Sequence, residues 1–224
     1  MESEPRAQPF DEDRDELGEP RYGYGQMLEA LQGADLDGLA VSVKRRLADE
    51  GVSFGPEPFV VDPIPRLIGG REWAELERGL AQRTRALNHF LTDIYRERRI
   101  VDAGIVPEEV LVDAEGYEPD LAGRVPQTPP PAAIIGFDLV REPGGTFLVL
   151  EDNLRTPSGY SYLLAARAAL KEILPSGVPV PRPIDPVIYE LLGATLRAAA
   201  PETSREDPTM VLLTDGPDNV AYYE

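Results

Sequence analysis

Between Gly136 and Asn153 the sequence sets Asp138 in one short apolar run and Glu151, Asp152 and Asn153 at the end of the next, with Glu142-Pro143-Gly144-Gly145 between them. Apolar runs joined by a Pro-Gly-Gly stretch predict a β-hairpin with strands over 133–141 and 147–153. With the turn centred between Gly144 and Gly145, Asp138 falls opposite Glu151, and directly opposed residues share a face. Glu151 and Asn153 are two apart and share that face, whereas Asp152 points to the other. Two carboxylates and an amide then converge, the oxygen donors a magnesium or manganese ion takes when water and phosphate complete its shell. Three polar side chains on a strand face among Leu139, Val149 and Leu150 would otherwise cost desolvation without return. The pattern also fits a strand end that reaches solvent with its acids hydrated, and calcium would accept the same ligands.

Arg155 follows this group, a planar and permanently charged donor suited to phosphate or carboxylate, and Ser158 can donate beside it. Arg66 and Arg83 are secondary candidates for an anionic substrate, with a structural or solvent-facing role as the alternative. The single histidine, His89, reads as a partly buried helix residue rather than a catalyst. With no cysteine and one histidine, disulfides, zinc thiolate sites, thiol catalysis and histidine-rich metal sites are excluded, so any metal is held by oxygen. A hydrolase using Asp138 and Glu151 as acid and base would need one raised pKa and a sugar-shaped cleft, and the chain offers one Trp for stacking.

The elements that must position these residues can be read from periodicity. The chain has 224 residues and 42% hydrophobic content, enough for one sizeable core or two small ones. Residues 1–20 hold eight acids, two arginines and no apolar run, which predicts a disordered acidic tail and neither a secretion signal nor a membrane anchor; a cytoplasmic protein is expected. The net charge of −18, from 40 acids against 22 Lys plus Arg, argues against nucleic acid and anionic membrane as partners. Apolar spacing predicts two short helices over 24–50 broken near Gly33 and Asp35, and a strand at Phe59 leading into FVVDPIPR. A long amphipathic helix over 71–100 follows, then an extended Pro- and Gly-rich connection over 116–132. Beyond the hairpin come helices over 160–174 and 186–199 and a strand over 209–214, with an Asp-Gly-Pro-Asp-Asn loop after it.

Longer runs carry a family likeness: FVVDPIPR, the helix with Gln82-Arg83, Ala86-Leu87-Asn88, Phe90-Leu91 and Asp93-Ile94-Tyr95, then GFDLVR, EDNLRTPSGYSY and VLLTDGPDNVAYYE. Together these resemble the circularly permuted type 2 ATP-grasp family, related to glutathionylspermidine synthetase-like ligases, over about residues 22–224. The resemblance implies an α/β (α+β) chain: a partial ATP-grasp fold, with a mixed or antiparallel sheet and flanking helices. It would comprise a metal-binding lobe over 21–205 and the start of a pre-ATP-grasp α/β domain over 206–224. It implies magnesium or manganese on ATP held by Asp138, Glu151 and Asn153, a loop containing Arg155, Ser158 and Gly159 at the nucleotide and reacting groups, and Arg155 steadying the oxyanion. The reaction implied joins a small-molecule or peptide carboxylate to an amine through an acyl phosphate. The nucleotide-gripping half of the family is missing here, so this piece is expected to be inactive unless that half is supplied in cis or in trans. A binding or assembly module that keeps the fold without catalysis is the alternative.

Overall fold

The computed structural model describes residues 9–126, 129–201, 208–220 and 222–224. Residues 1–8 of the expected tail, residues 127 and 128 of the connection, and the expected domain boundary at 205–206 lie outside the described residues. The chain divides into two compact units, one of residues 1–70, 139–150 and 158–224 and the other of 71–138 and 151–157.

The first unit is built on helices. Helix α1 covers Tyr24–Ala30 and α2 covers Leu36–Asp49, whose N-terminus is capped by Asp35 accepting the Gly38 N–H at 3.0 Å. A small antiparallel pair, β1 (Ser53–Phe54) and β2 (Glu57–Pro58), follows. Later in the chain lie α6 (Tyr160–Ile173) and α7 (Asp185–Ala198). Val43 and Leu47 of α2 and Tyr162, Ala165 and Ala169 of α6 form one buried cluster with Val52, and Phe59 and Val61 pack on it. A second cluster gathers Tyr24, Met27 and Leu31, with Ile64 and Leu67 against it. FVVDPIPR therefore contributes apolar side chains to both cores but forms no strand, because Pro63 and Pro65 remove ladder donors and no neighbour pairs with it.

In the second unit α3 (Gly70–Ile94) is the long helix. It stops six residues short of the expected end, because Asp93 turns its carboxylate to the N–H groups of Arg99 and Ile100 and starts α4 (Arg99–Asp102), with Arg98 left-handed between them at φ 57°. A further short helix, α5, covers Glu108–Val112. Asn88 holds the connection by donating to the Ala132 carbonyl at 3.1 Å and accepting its N–H at 2.8 Å. His89 is exposed rather than partly buried.

The strands β3 (Gly136–Arg141) and β4 (Phe147–Asn153) pair as a hairpin whose tip belongs to the first unit and whose open ends belong to the second. With β1 and β2 this gives mixed helices and two small antiparallel sheets. The strand expected over 209–214 is absent: Val211, Leu212 and Leu213 are 77%, 87% and 91% exposed, and an extended segment with no neighbouring strand has no ladder to join. Residues 9–20 are held rather than loose. Arg14 bridges Pro20, and Asp15 accepts the N–H groups of Leu17 and Glu19 at 2.9 Å each. Among the described residues no helix is long and apolar enough to cross a membrane.

Candidate active site

The hairpin tip departs from the centred two-residue turn. Glu142 accepts the Gly145 N–H at 2.8 Å and donates its own N–H to Thr146 at 3.0 Å, so Pro143, Gly144 and Gly145 form a three-residue loop. Gly145 has φ 89°, the left-handed position such a loop requires.

Next to the turn, Glu142 thus stands opposite Thr146, one residue from the centred expectation. A methyl group at Gly136 would stand 3.5 Å from both Asn153 Cβ and Pro157 Cβ, so the open end of the hairpin is closely packed. Exposed and half-buried positions alternate along β4 until Leu150 and Glu151, two exposed residues in succession.

Asp152 faces the other way and meets α3. Arg83 holds it with both guanidinium arms, Nε to Oδ1 at 2.5 Å and Nη2 to Oδ2 at 2.6 Å. The hydrogen bond from Arg83 lowers the Asp152 carboxyl pKa below its ordinary value, and the same bond raises that of Arg83. By contrast, among the described residues no cation pairs with Asp138 or Glu151, and both are exposed. No three or more His, Cys, Asp or Glu side chains cluster among the described residues in a way that could hold a metal, and the candidate trio offers two carboxylates with an amide instead.

The remaining candidates are distributed. Arg155 lies in the second unit, exposed and without an ion-pair partner among the described residues. Ser158 and Gly159 lie in the first unit at the start of α6, where Gly159 has φ 125° and its N–H donates to the Glu224 carboxylate at 2.6 and 2.9 Å. The Glu224 carboxylate at this point meets backbone N–H groups and the positive end of the helix. Arg66 pairs with Glu12 at 2.9 Å and Arg83 with Asp152, so both secondary arginines already serve carboxylates of the chain. Alternation along β4 signals that Asp152 turns from Glu151; nothing in the local sequence signals the Glu224 contact.

The family model described as circularly permuted ATP-grasp type 2 matches residues 65–224, which takes in the whole hairpin and the start of α6. The chain belongs to the circularly permuted ATP-grasp type 2 family. It is 37% identical over 224 residues to an uncharacterized protein of Mycobacterium leprae, covering 96% of this chain and 40% of that protein. An uncharacterized Synechocystis protein is 43% identical over 179 residues, covering 79% of this chain and 36% of its own length. A Frankia alni protein named "Putative glutamate--cysteine ligase 2-3" is 39% identical over 232 residues, covering 98% of this chain and 27% of its own. The chain thus spans less than half the length of these relatives.

Proposed function

We propose that this chain is the metal-hairpin portion of an ATP-dependent ligase that joins a carboxylate to an amine through an acyl phosphate. The observation that carries the reading is the hairpin inside the family match, where Asp138 and Glu151 stand exposed with no cation paired to them among the described residues while the neighbouring Asp152 is neutralised by Arg83. Two free carboxylates and the Asn153 amide are hard oxygen donors, and they fit a magnesium or manganese ion that keeps its other positions for water and phosphate. Such an ion, bound with ATP, would offset charge building on the transferred phosphoryl group.

The chain's own residues supply the rest. Arg155 steadies the oxyanion with a fixed fork of donors, and the Ser158–Gly159 backbone at the α6 N-terminus, whose Gly159 N–H here holds the Glu224 carboxylate, is suited to an anionic oxygen. The name of the Frankia protein supports the ligase class, but it belongs to a whole protein of which this chain covers 27%, so it does not assign glutamate or cysteine as substrates here. Gripping the nucleotide needs residues beyond these 224, because one lobe cannot orient ATP for in-line transfer.

Calorimetry with manganese and ATP on this chain, beside turnover assays on a chain as long as its relatives, tests the reading. ATP consumption that requires both an amine and a carboxylate, and that disappears with Asp138→Asn, is expected in the longer chain. Binding without any turnover in that longer chain would leave a non-catalytic module instead.

A further inference from the structure

Residues 10–21 close around the tip of the hairpin, and every contact lies within the first unit. The Phe10 ring centroid is 4.3 Å from the guanidinium carbon of Arg21 and 4.9 Å from that of Arg141, and Arg141 lies 4.0 Å over the Phe147 ring. Phe10 also rests on the turn itself, since a methyl group at Gly145 would come within 2.7 Å of its ring. Glu12 pairs with Arg141 at 3.2 Å and with Arg66 at 2.9 Å. Arg141 in turn donates to the Gly145 carbonyl at 3.0 Å, and its side chain is only 7% exposed. The segment is closed on itself by the Arg14–Pro20 bridge and by Arg21 Nε donating to the Asp11 carbonyl at 2.9 Å.

We propose that this acidic segment is a clasp on the hairpin turn, and that Phe10 and Glu12 are positioning residues for the ligands the hairpin carries. The inference rests on the reading of Asp138, Glu151 and Asn153 given above. Because side chains alternate along a strand, a one-residue change in the hairpin register changes which face Asp138 presents relative to Glu151 and Asn153. A two-stranded ribbon by itself holds its register poorly. Phe10 against Gly145, together with the Glu12 pair to Arg141, the last residue of β3, ties the tip in the register that the three-residue loop sets. Positive charge on Arg141 would be costly so far from water without a carboxylate beside it, and Glu12 supplies one.

The test compares the chain with Phe10→Ala/Glu12→Gln, Phe10→Tyr and Asp138→Asn, using manganese affinity and amide exchange at Leu139 and Val149. The double variant is expected to bind manganese at least about tenfold more weakly and to exchange those amides at least about tenfold faster. Phe10→Tyr, which keeps the ring, should behave as the parent, and circular dichroism should show the helices intact in all. Faster exchange with unchanged manganese affinity overturns the positioning role, and unchanged exchange overturns the clasp. If the parent and Asp138→Asn bind manganese alike, the metal reading fails by itself, and amide exchange alone then decides whether the clasp exists.

Discussion

Arg83 on α3 and Asp152 on β4 form a two-point ion pair, 2.5 and 2.6 Å, on the face of the strand turned from Glu151. Adjacent acids in one strand thus have different fates, one neutralised by a helix and one left open. Because Asp152 titrates below its usual value in the folded chain through the Arg83 hydrogen bond, its contribution is complete above the unfolded carboxylate pKa and is lost as pH falls through the folded one. Asp152→Asn should therefore flatten the loss of stability on acidification below about pH 4. Urea midpoints measured at neutral and at acidic pH check this: the parent should lose more than the variant over that interval.

Gly145 is held at φ 89° with the Phe10 ring against it. A side chain there meets both the left-handed backbone cost and the ring. Gly145→Ala should destabilise the chain by at least about 1–2 kcal/mol, and combining it with Phe10→Ala should remove the steric part only. Chemical denaturation of the two variants separates the backbone from the packing contribution.

The helices were legible in the sequence from their apolar periodicity: α2 buries Val43 and Leu47 and α6 buries Tyr162, Ala165 and Ala169, while α7 falls within a residue of its expected limits although none of its residues is buried. The hairpin strands were legible from their apolar runs and the glycine turn. The form of the turn was not: Glu142 and Thr146 close a three-residue loop in place of the centred two-residue one, with Gly145 in the left-handed position. The strand over 209–214 has the right composition, yet Leu212 and Leu213 remain exposed because a strand exists only with a neighbour. The acidic composition of residues 9–20 hid Phe10, whose role depends on two arginines, one of them far along the chain.

Leu47 is wholly buried between α2 and α6, in the cluster with Val43, Tyr162 and Ala169. Removing its branched end leaves a cavity that two rigid helices close only in part. Leu47→Ala should cost about 2–5 kcal/mol, measured by urea denaturation, whereas Val41→Ala on the exposed side of α2 should change stability by less than about 0.5 kcal/mol.

The two faces of β4 make opposite predictions for metal binding. Asp138→Asn and Glu151→Gln each remove a charged oxygen donor from the open face, and each should weaken manganese binding at least about tenfold. Asp152→Asn removes the same charge one residue away but on the Arg83 face, so manganese affinity should stay within about twofold of the parent, a margin set by charge screened at the surface. Titration of the three variants by electron paramagnetic resonance of free manganese decides between them. Equal losses in all three would mean that the ion senses only the acidity of the hairpin, and the oxygen trio would have no special standing.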